Sequence, residues 1–414
     1  MKFLDANDPD SALDILMVLA EELQDGVELV DDSDGYLGDY ALGLGLPMAE
    51  AILSLDLSKA ERTKLIEMLK KLDAELDDYG MSGLDVAIEA ATYGWEANPP
   101  GKPTAPQTTT SSTTWQEYDE DDELVDEGML DDEHPFFSAS DQPAMPANDL
   151  TEAKLNVLNR RGEHEAYLAL CKRVGRHLCC VLKLCDLERV SEAVSYAKAN
   201  LNSTHDALEV GKRLRDLKQV DDAIAIGELG LTLPGRKSLL GEWLGPIEET
   251  QNRSSQALQA WLAAFTDSPK LETYKTIKRL NQADWQSLQT ELMQVMRKSY
   301  DHYTLVEVLL FEAQWDEAIA IADESAGNYR LAELVAEGVM KERPAWVIEA
   351  SRKQAEVLIA KTQSKYYVHA AEWLRRMKQA YGLLGQSREW QKYLDGLKEQ
   401  YRRRPALQAQ LRGL

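Results

Sequence analysis

The stretch LVEVLLFEAQWDEAIAIADES, residues 305–325, decides the fold. An apolar helical run (Leu305, Val306, Val308, Leu309, Leu310) breaks at Ala313-Gln314. A second run opens at Trp315, with Ala318, Ile319 and Ala322 at i+3, i+4 and i+7. That is a helical hairpin. One hairpin cannot bury both of its apolar stripes, so it demands neighbouring hairpins on either side.

The neighbours are legible in the same chain. Equivalent sets open at Val190 (with Ala193, Val194, Ala197), at Val220 (Ala223, Ile224, Gly227), at Ser254 (Ala257, Leu258, Trp261) and at Trp285 (Leu288, Gln289, Leu292). From Val190 to Trp315 the openings are spaced by 30, 34, 31 and 30 residues, close to the tetratricopeptide period. A small residue in the second helix of such a unit lets adjoining helices approach, and Ala193, Ala223, Ala257 and Ala318 take that place. A weaker unit opens at His164 and a degraded one near Trp346. The last opens at Trp390, 44 residues beyond Trp346, which predicts longer final helices. Pro344 suits the first turn of a helix running to about residue 360, because its missing amide proton costs nothing there. Residues 150–414 are therefore expected to form an all-α, irregular, tetratricopeptide-like array of helical hairpins.

Residues 1–97 read as a small helical domain. Leu13, Ile15, Leu16, Leu19 and Leu23 are expected to make one apolar face, and a second helix follows from about Tyr36 to Ser54. Ser58-Lys59-Ala60-Glu61 fits a capping box opening a third helix, with Leu65, Leu69 and Leu72 as its buried stripe. A short fourth helix is expected over residues 84–92. The acidic loop Asp31-Asp32-Ser33-Asp34-Gly35 invites a calcium reading, but the spacing fails. With Gly35 at loop position six, position one is Val30, which has no ligand oxygen.

Residues 98–149 change character abruptly. Pro-Pro-Gly and a Thr/Ser run lead into an acidic stretch, and no Lys or Arg occurs between Lys102 and Lys154. The composition predicts a disordered linker, since like charges repel and little apolar surface offsets the ordering entropy. Trp115, Tyr118, Leu124, Phe136 and Phe137 sit among the acids, so two readings stand: an inert tether, or a docking segment that orders on a basic groove. In the second reading, deleting residues 110–140 should increase binding by the array.

Charge is unevenly placed. The whole chain carries −25, yet residues 1–150 hold 36 Asp/Glu against 7 Lys/Arg, a balance of −29 that leaves +4 for the rest. Residues 350–414 hold 14 Lys/Arg against 5 Asp/Glu, a local +9. Such asymmetry points to an acidic partner or to internal pairing. The first ten residues show no basic-then-apolar signal, and no apolar run approaches the roughly 20 residues that span a bilayer, so a cytoplasmic location is expected. Cys171, Cys179, Cys180 and Cys185 fall within expected helices with no small loop to staple, and read as reduced thiols. His164 and His177 lie near them, but no Cys-x-x-Cys spacing supports a zinc site. No His-Glu-x-x-His, Gly-x-Ser-x-Gly or phosphate-binding glycine loop occurs, so no catalytic residue, metal or cofactor is assigned and a non-enzymatic role is expected.

The densest unusual cluster is Lys365-Tyr366-Tyr367-Val368-His369-Ala370-Ala371-Glu372-Trp373-Leu374-Arg375-Arg376. Aromatic residues beside basic ones stack on bases and contact phosphates, or they pack between helices with a polar tip outward. Arg402-Arg403-Arg404-Pro405 adds a basic run at a helix end, suited to the negative end of the helix dipole. Lys365, Tyr366, Tyr367, His369, Trp373, Arg375, Arg376, Arg402, Arg403 and Arg404 are the candidate partner-binding residues.

With Trp390, Tyr393-Leu394, residues 402–407, Arg343-Pro344-Ala345-Trp346-Val347-Ile348 and Asp34-Gly35-Tyr36-Leu37-Gly38, this cluster resembles the helical region after the zinc finger in bacterial SWIM zinc-finger proteins. The finger's own Cys-x-Cys and Cys-x-His elements are absent, so no zinc ligand is carried over. The resemblance implies a role near nucleic acid or as a protein-interaction module, working with a separate finger-bearing chain. Two functions are thus expected in order. The first is a scaffold binding a protein partner on its repeat surface, and the second is nucleic-acid association through the basic aromatic C-terminal helices, regulated by the acidic linker.

Overall fold

The computed structural model describes residues 2–27, 36–81, 83–96, 149–298, 302–325 and 327–414. Among the described residues there are 22 helices and no strand, so the chain is an all-α helical-hairpin protein. It divides into two compact units, Met1–Lys183 and Leu184–Leu414. The acidic loop at residues 31–35, the expected linker up to residue 148 and its aromatic positions Trp115, Tyr118, Leu124, Phe136 and Phe137 lie outside the described residues.

The first unit contains α1 (Lys2–Asp5), α2 (Pro9–Val27), α3 (Tyr36–Ser54), α4 (Lys59–Asp77), α5 (Asp85–Tyr93), α6 (Leu150–Arg160), α7 (His164–Val174) and most of α8 (His177–Asp186). The capping box forms as expected at the start of α4: the Ser58 amide donates to Glu61 Oε2 at 2.8 Å, and the Glu61 amide donates to Ser58 Oγ at 3.4 Å. In α2 the expected single face is divided. Leu13 and Leu16 are buried and Leu23 is half-buried, whereas Ile15 and Leu19 stand exposed. At about 100° per residue these five positions span roughly 160° of the helix, a wider arc than the core covers.

The N-terminal core also takes in α6, which buries Leu150, Ala153 and Val157 among residues of the first five helices. Asp149 caps α6 by accepting from the Glu152 amide at 2.8 Å. Buried Glu50 of α3 pairs with Arg160 and accepts from Asn156 Nδ2 at 2.7 Å. Trp95 Nε1 donates to the Leu53 carbonyl at 3.0 Å, under the Arg161 guanidinium. The first compact unit runs to Lys183. All four cysteines are free thiols, and burial pushes the Cys171 thiol up to about 12.

The second unit continues with α9 (Val190–Asn200), α10 (Thr204–Asp216), α11 (Val220–Thr232), α12 (Ser238–Thr250), α13 (Ser254–Asp267), α14 (Leu271–Leu280), α15 (Trp285–Lys298) and α16 (Tyr303–Phe311). Then come α17 (Trp315–Glu324), α18 (Tyr329–Gly338), α19 (Pro344–Ala360), α20 (Ser364–Leu383), α21 (Ser387–Gln400) and α22 (Pro405–Leu411). Val190, Val220, Ser254, Trp285 and Trp315 each open a helix, and Ala193, Ala223, Ala257 and Ala318 are fully buried. The expected lengthening near the C-terminus is present, with 17 residues in α19 and 20 in α20.

One joint recurs in this unit. Glu188, Lys218, Asn252, Ala313 and Gly385 all adopt positive φ, each two residues before a helix start. The following amide reaches back five residues: Arg189 to Leu184, Gln219 to Leu214, Arg253 to Glu248, Gln314 to Leu309 and Gln386 to Tyr381, at 2.8–2.9 Å. This left-handed stop satisfies carbonyls that the helix end would otherwise leave open. Gly385 adopts this conformation without strain and Asn252 is a residue type that tolerates it, whereas Glu188, Lys218 and Ala313 must be held there by the packing of the flanking helices.

Glu248 on α12 is fully buried. Arg253 Nε lies 3.2 Å from Glu248 Oε2, while Arg253 Nη2 donates to Glu228 at 2.6 Å. Burial raises the Glu248 carboxyl above its ordinary range, Arg253 opposes this, and Glu228 adds to the rise. The folded chain therefore keeps a proton that the unfolded chain releases near pH 4.3 (about, for a free Glu), and stability falls as pH rises from there through the raised value. Glu248→Gln should remove that loss. Its melting temperature relative to the parent is expected to climb between mildly acid and neutral pH; parallel curves would show that Glu248 does not titrate in this window.

Candidate interaction surface

At α-helical spacing Tyr366, Ala370, Trp373, Met377 and Ala380 form one stripe along α20, and that stripe packs into the unit. Tyr367 and Trp373 are each 4% exposed and lie in the main core; Tyr366 is 9% exposed. Three of the aromatic candidates are thus interior, and their faces are not free to stack on a ligand. Lys361 and Lys365 close over the Tyr366 ring, 4.5 and 5.3 Å from its centroid. His369 turns out of the stripe, with Nδ1 3.4 Å from Glu372 Oε2.

The basic candidates divide into fixed and free. Arg376 pairs with Glu333 and, at 3.0 Å, with Glu337 of α18, and its guanidinium lies 5.0 Å from the Trp373 ring centroid. Arg404 donates to the Ile359 carbonyl in the last turn of α19 at 2.8 Å and covers Tyr401. Both join neighbouring helices. Arg402 holds Glu399 at 3.1 Å on the surface. Lys365, Arg375 and Arg403 are exposed, and among the described residues Arg375 and Arg403 have no ion-pair partner.

Beside Arg376 lies an open recess of about 550 Å³, lined by Trp315, Glu337, Met340, Lys341, Glu342, Arg376 and Gln379 among others. Its walls come from three successive stretches: the start of α17, the α18–α19 connection and α20. Arg343 braces one wall by gripping Asp316 with two bonds, at 2.9 and 3.1 Å. Acids and bases alternate around a Met and a Trp, a lining suited to a mixed polar and apolar peptide surface.

A second groove, of about 440 Å³, escaped the sequence reading. Lys275, Lys278 and Arg279 project from α14 beside Gln282 and Trp285. Lys278 lies 5.4 Å from the Trp285 centroid and 5.1 Å from that of Phe311, and also holds both oxygens of Glu312. Below them buried Tyr274 meets Trp285 and Phe311 edge-on. The signal was present as three cations at i, i+3 and i+4 followed by a tryptophan, but Trp285 also opens a helix, and that role accounted for it. Lys275 and Arg279 are satisfied by Glu272 and Glu249, each at 2.6 Å, so this groove is charge-balanced.

Among the described residues no group of three or more His, Cys, Asp or Glu is placed to hold a metal ion, and no helix is long and apolar enough to cross a membrane. No protein-family model matches the chain, and no curated protein matches it.

Proposed function

We propose that this protein is a non-enzymatic interaction scaffold working in the cytoplasm, whose C-terminal hairpins bind an acidic partner protein. The observation that carries the reading is a segment of local charge +9 that holds exposed, unpaired arginines, Arg375 and Arg403 among them. Exposed cations of one sign attract an acidic surface and speed its approach. Burial of Tyr366, Tyr367 and Trp373 supports a protein partner over single-stranded nucleic acid, which is gripped largely through stacking. The resemblance to SWIM zinc-finger proteins makes a finger-bearing chain the first partner to look for.

The test is capture of the full chain from its native cells, with and without nuclease, beside the double variant Arg375→Glu/Arg403→Glu. The variant should fold normally and retain at least about tenfold less partner, since rim charges act on encounter and salt dependence. Equal capture by parent and variant would reject this surface. Capture abolished by nuclease would transfer the surface to nucleic acid, held by phosphate contacts alone.

A further inference from the structure

We infer that the exposed stripe of α2, centred on Ile15, Val18 and Leu19, is a docking surface for a basic amphipathic helix of a partner protein. These three side chains are 42%, 54% and 47% exposed, on a helix whose opposite side already buries Leu13, Leu16 and Ala20. They fall at i, i+3 and i+4, so they form one continuous ridge separate from the core-facing one. An amphipathic helix needs only one apolar stripe to hold itself on a core, and the second leaves leucine, valine and isoleucine in water without a structural return within this unit.

The charge around the stripe selects the occupant. Asp10, Asp14 and Glu21 lie along one border of it at about 100° per residue, and Glu22 lies within it. All four are exposed, and among the described residues none has an ion-pair partner. Docking an apolar helix here would bring these carboxylates into a drier setting, which is favourable only if the incoming helix carries Lys or Arg on the matching border. The chain's own acidic segment does not meet that requirement, having no Lys or Arg between Lys102 and Lys154. Nor does a second copy supply a free basic helix in α21, whose apolar residues Trp390, Leu394 and Leu397 are already buried. The fitting partner is a helix with leucine-like residues at i, i+3, i+4 and i+7 and arginines or lysines along one edge, laid along α2 as helix on helix.

The experiment is fluorescence anisotropy of the full chain with a labelled synthetic helix of that design, beside a scrambled peptide of equal composition. The designed helix should bind and the scrambled one should bind at least about tenfold more weakly. Val18→Asp, at an exposed position, should leave the melting curve unchanged and weaken the designed helix by about tenfold or more. Asp14→Lys/Glu21→Lys should weaken it and flatten its salt dependence. Equal binding of the scrambled peptide, or unchanged binding to Val18→Asp, overturns the proposal. So does concentration-dependent dimerisation of the parent that Val18→Asp abolishes, which would make the stripe a self-association surface.

Discussion

Trp373→Ala is expected to lower the unfolding free energy of the C-terminal unit by about 3–5 kcal/mol, the cost of emptying a large aromatic site in a packed core. Trp373 is almost fully buried, in one cluster with Tyr367, Ala370, Leu374 and Met377. Its loss also takes away the face on which the Arg376 guanidinium rests, loosening the link from α20 to Glu333 and Glu337 on α18. Arg375→Glu, two residues away and exposed, should stay within about 0.5 kcal/mol of the parent while weakening partner capture. Chemical denaturation of the two variants side by side separates the roles. A Trp373→Ala protein as stable as the parent but deficient in capture would return the tryptophan to the binding surface.

Gly45→Ala should cost about 3 kcal/mol or more, at the severe end of overpacking changes. A Cβ on Gly45 of α3 would clash with the Gly83 carbonyl oxygen, and a Cβ on Gly83 would clash with the Ala41 carbonyl oxygen and meet Leu42 Cα at 2.7 Å. These neighbours are backbone, so no side chain can swing aside and the two segments must separate. Helix propensity pulls the other way by only about 1 kcal/mol, too little to reverse the sign. Gly43 provides the control on the same helix. Nothing lies within 4 Å of its Cβ position, and Gly43→Ala should stabilise by up to about 1 kcal/mol. If both substitutions shift the urea midpoint upward, the close approach at Gly45 is not rigid.

The hairpin array was legible because each second helix opens with the same local grammar. The opening residue is followed at i+3, i+4 and i+7 by residues of the buried stripe, and in four of the five the i+3 residue is alanine, where helices touch; at Trp285 it is Leu288. That grammar is written within about ten residues, and it marked the helix starts at Val190, Val220, Ser254, Trp285 and Trp315. Contacts between distant positions have no such local trace. Glu50 meets Asn156 and Arg160 across separations of 106 and 110 residues, so the membership of α6 in the N-terminal core was not readable from composition. The face of α2 failed for a different reason: periodicity identifies apolar positions but not how wide an arc the core will cover. At the candidate surface, the cluster at residues 365–376 was visible, but the division into buried rings and free arginines depends on how α20 is rotated about its axis. The charge-balanced groove on α14 stayed hidden because Trp285 already had a sufficient packing role.

The left-handed stop repeated before α9, α11, α13, α17 and α21 bears on how such a chain can change length. Where two joints share one geometry, the segment between them can be removed or copied and the cut ends still meet in a joint of the same kind. Removing residues 190–219 would bring Arg189 directly before Val220, restoring the turn that each already borders. A deletion whose length does not match the spacing of the joints would put a helix out of register with its stop. Between those joints, insertions and deletions in steps of one hairpin are therefore the ones expected to be tolerated, which makes reach a quantity that a designer can count in whole modules.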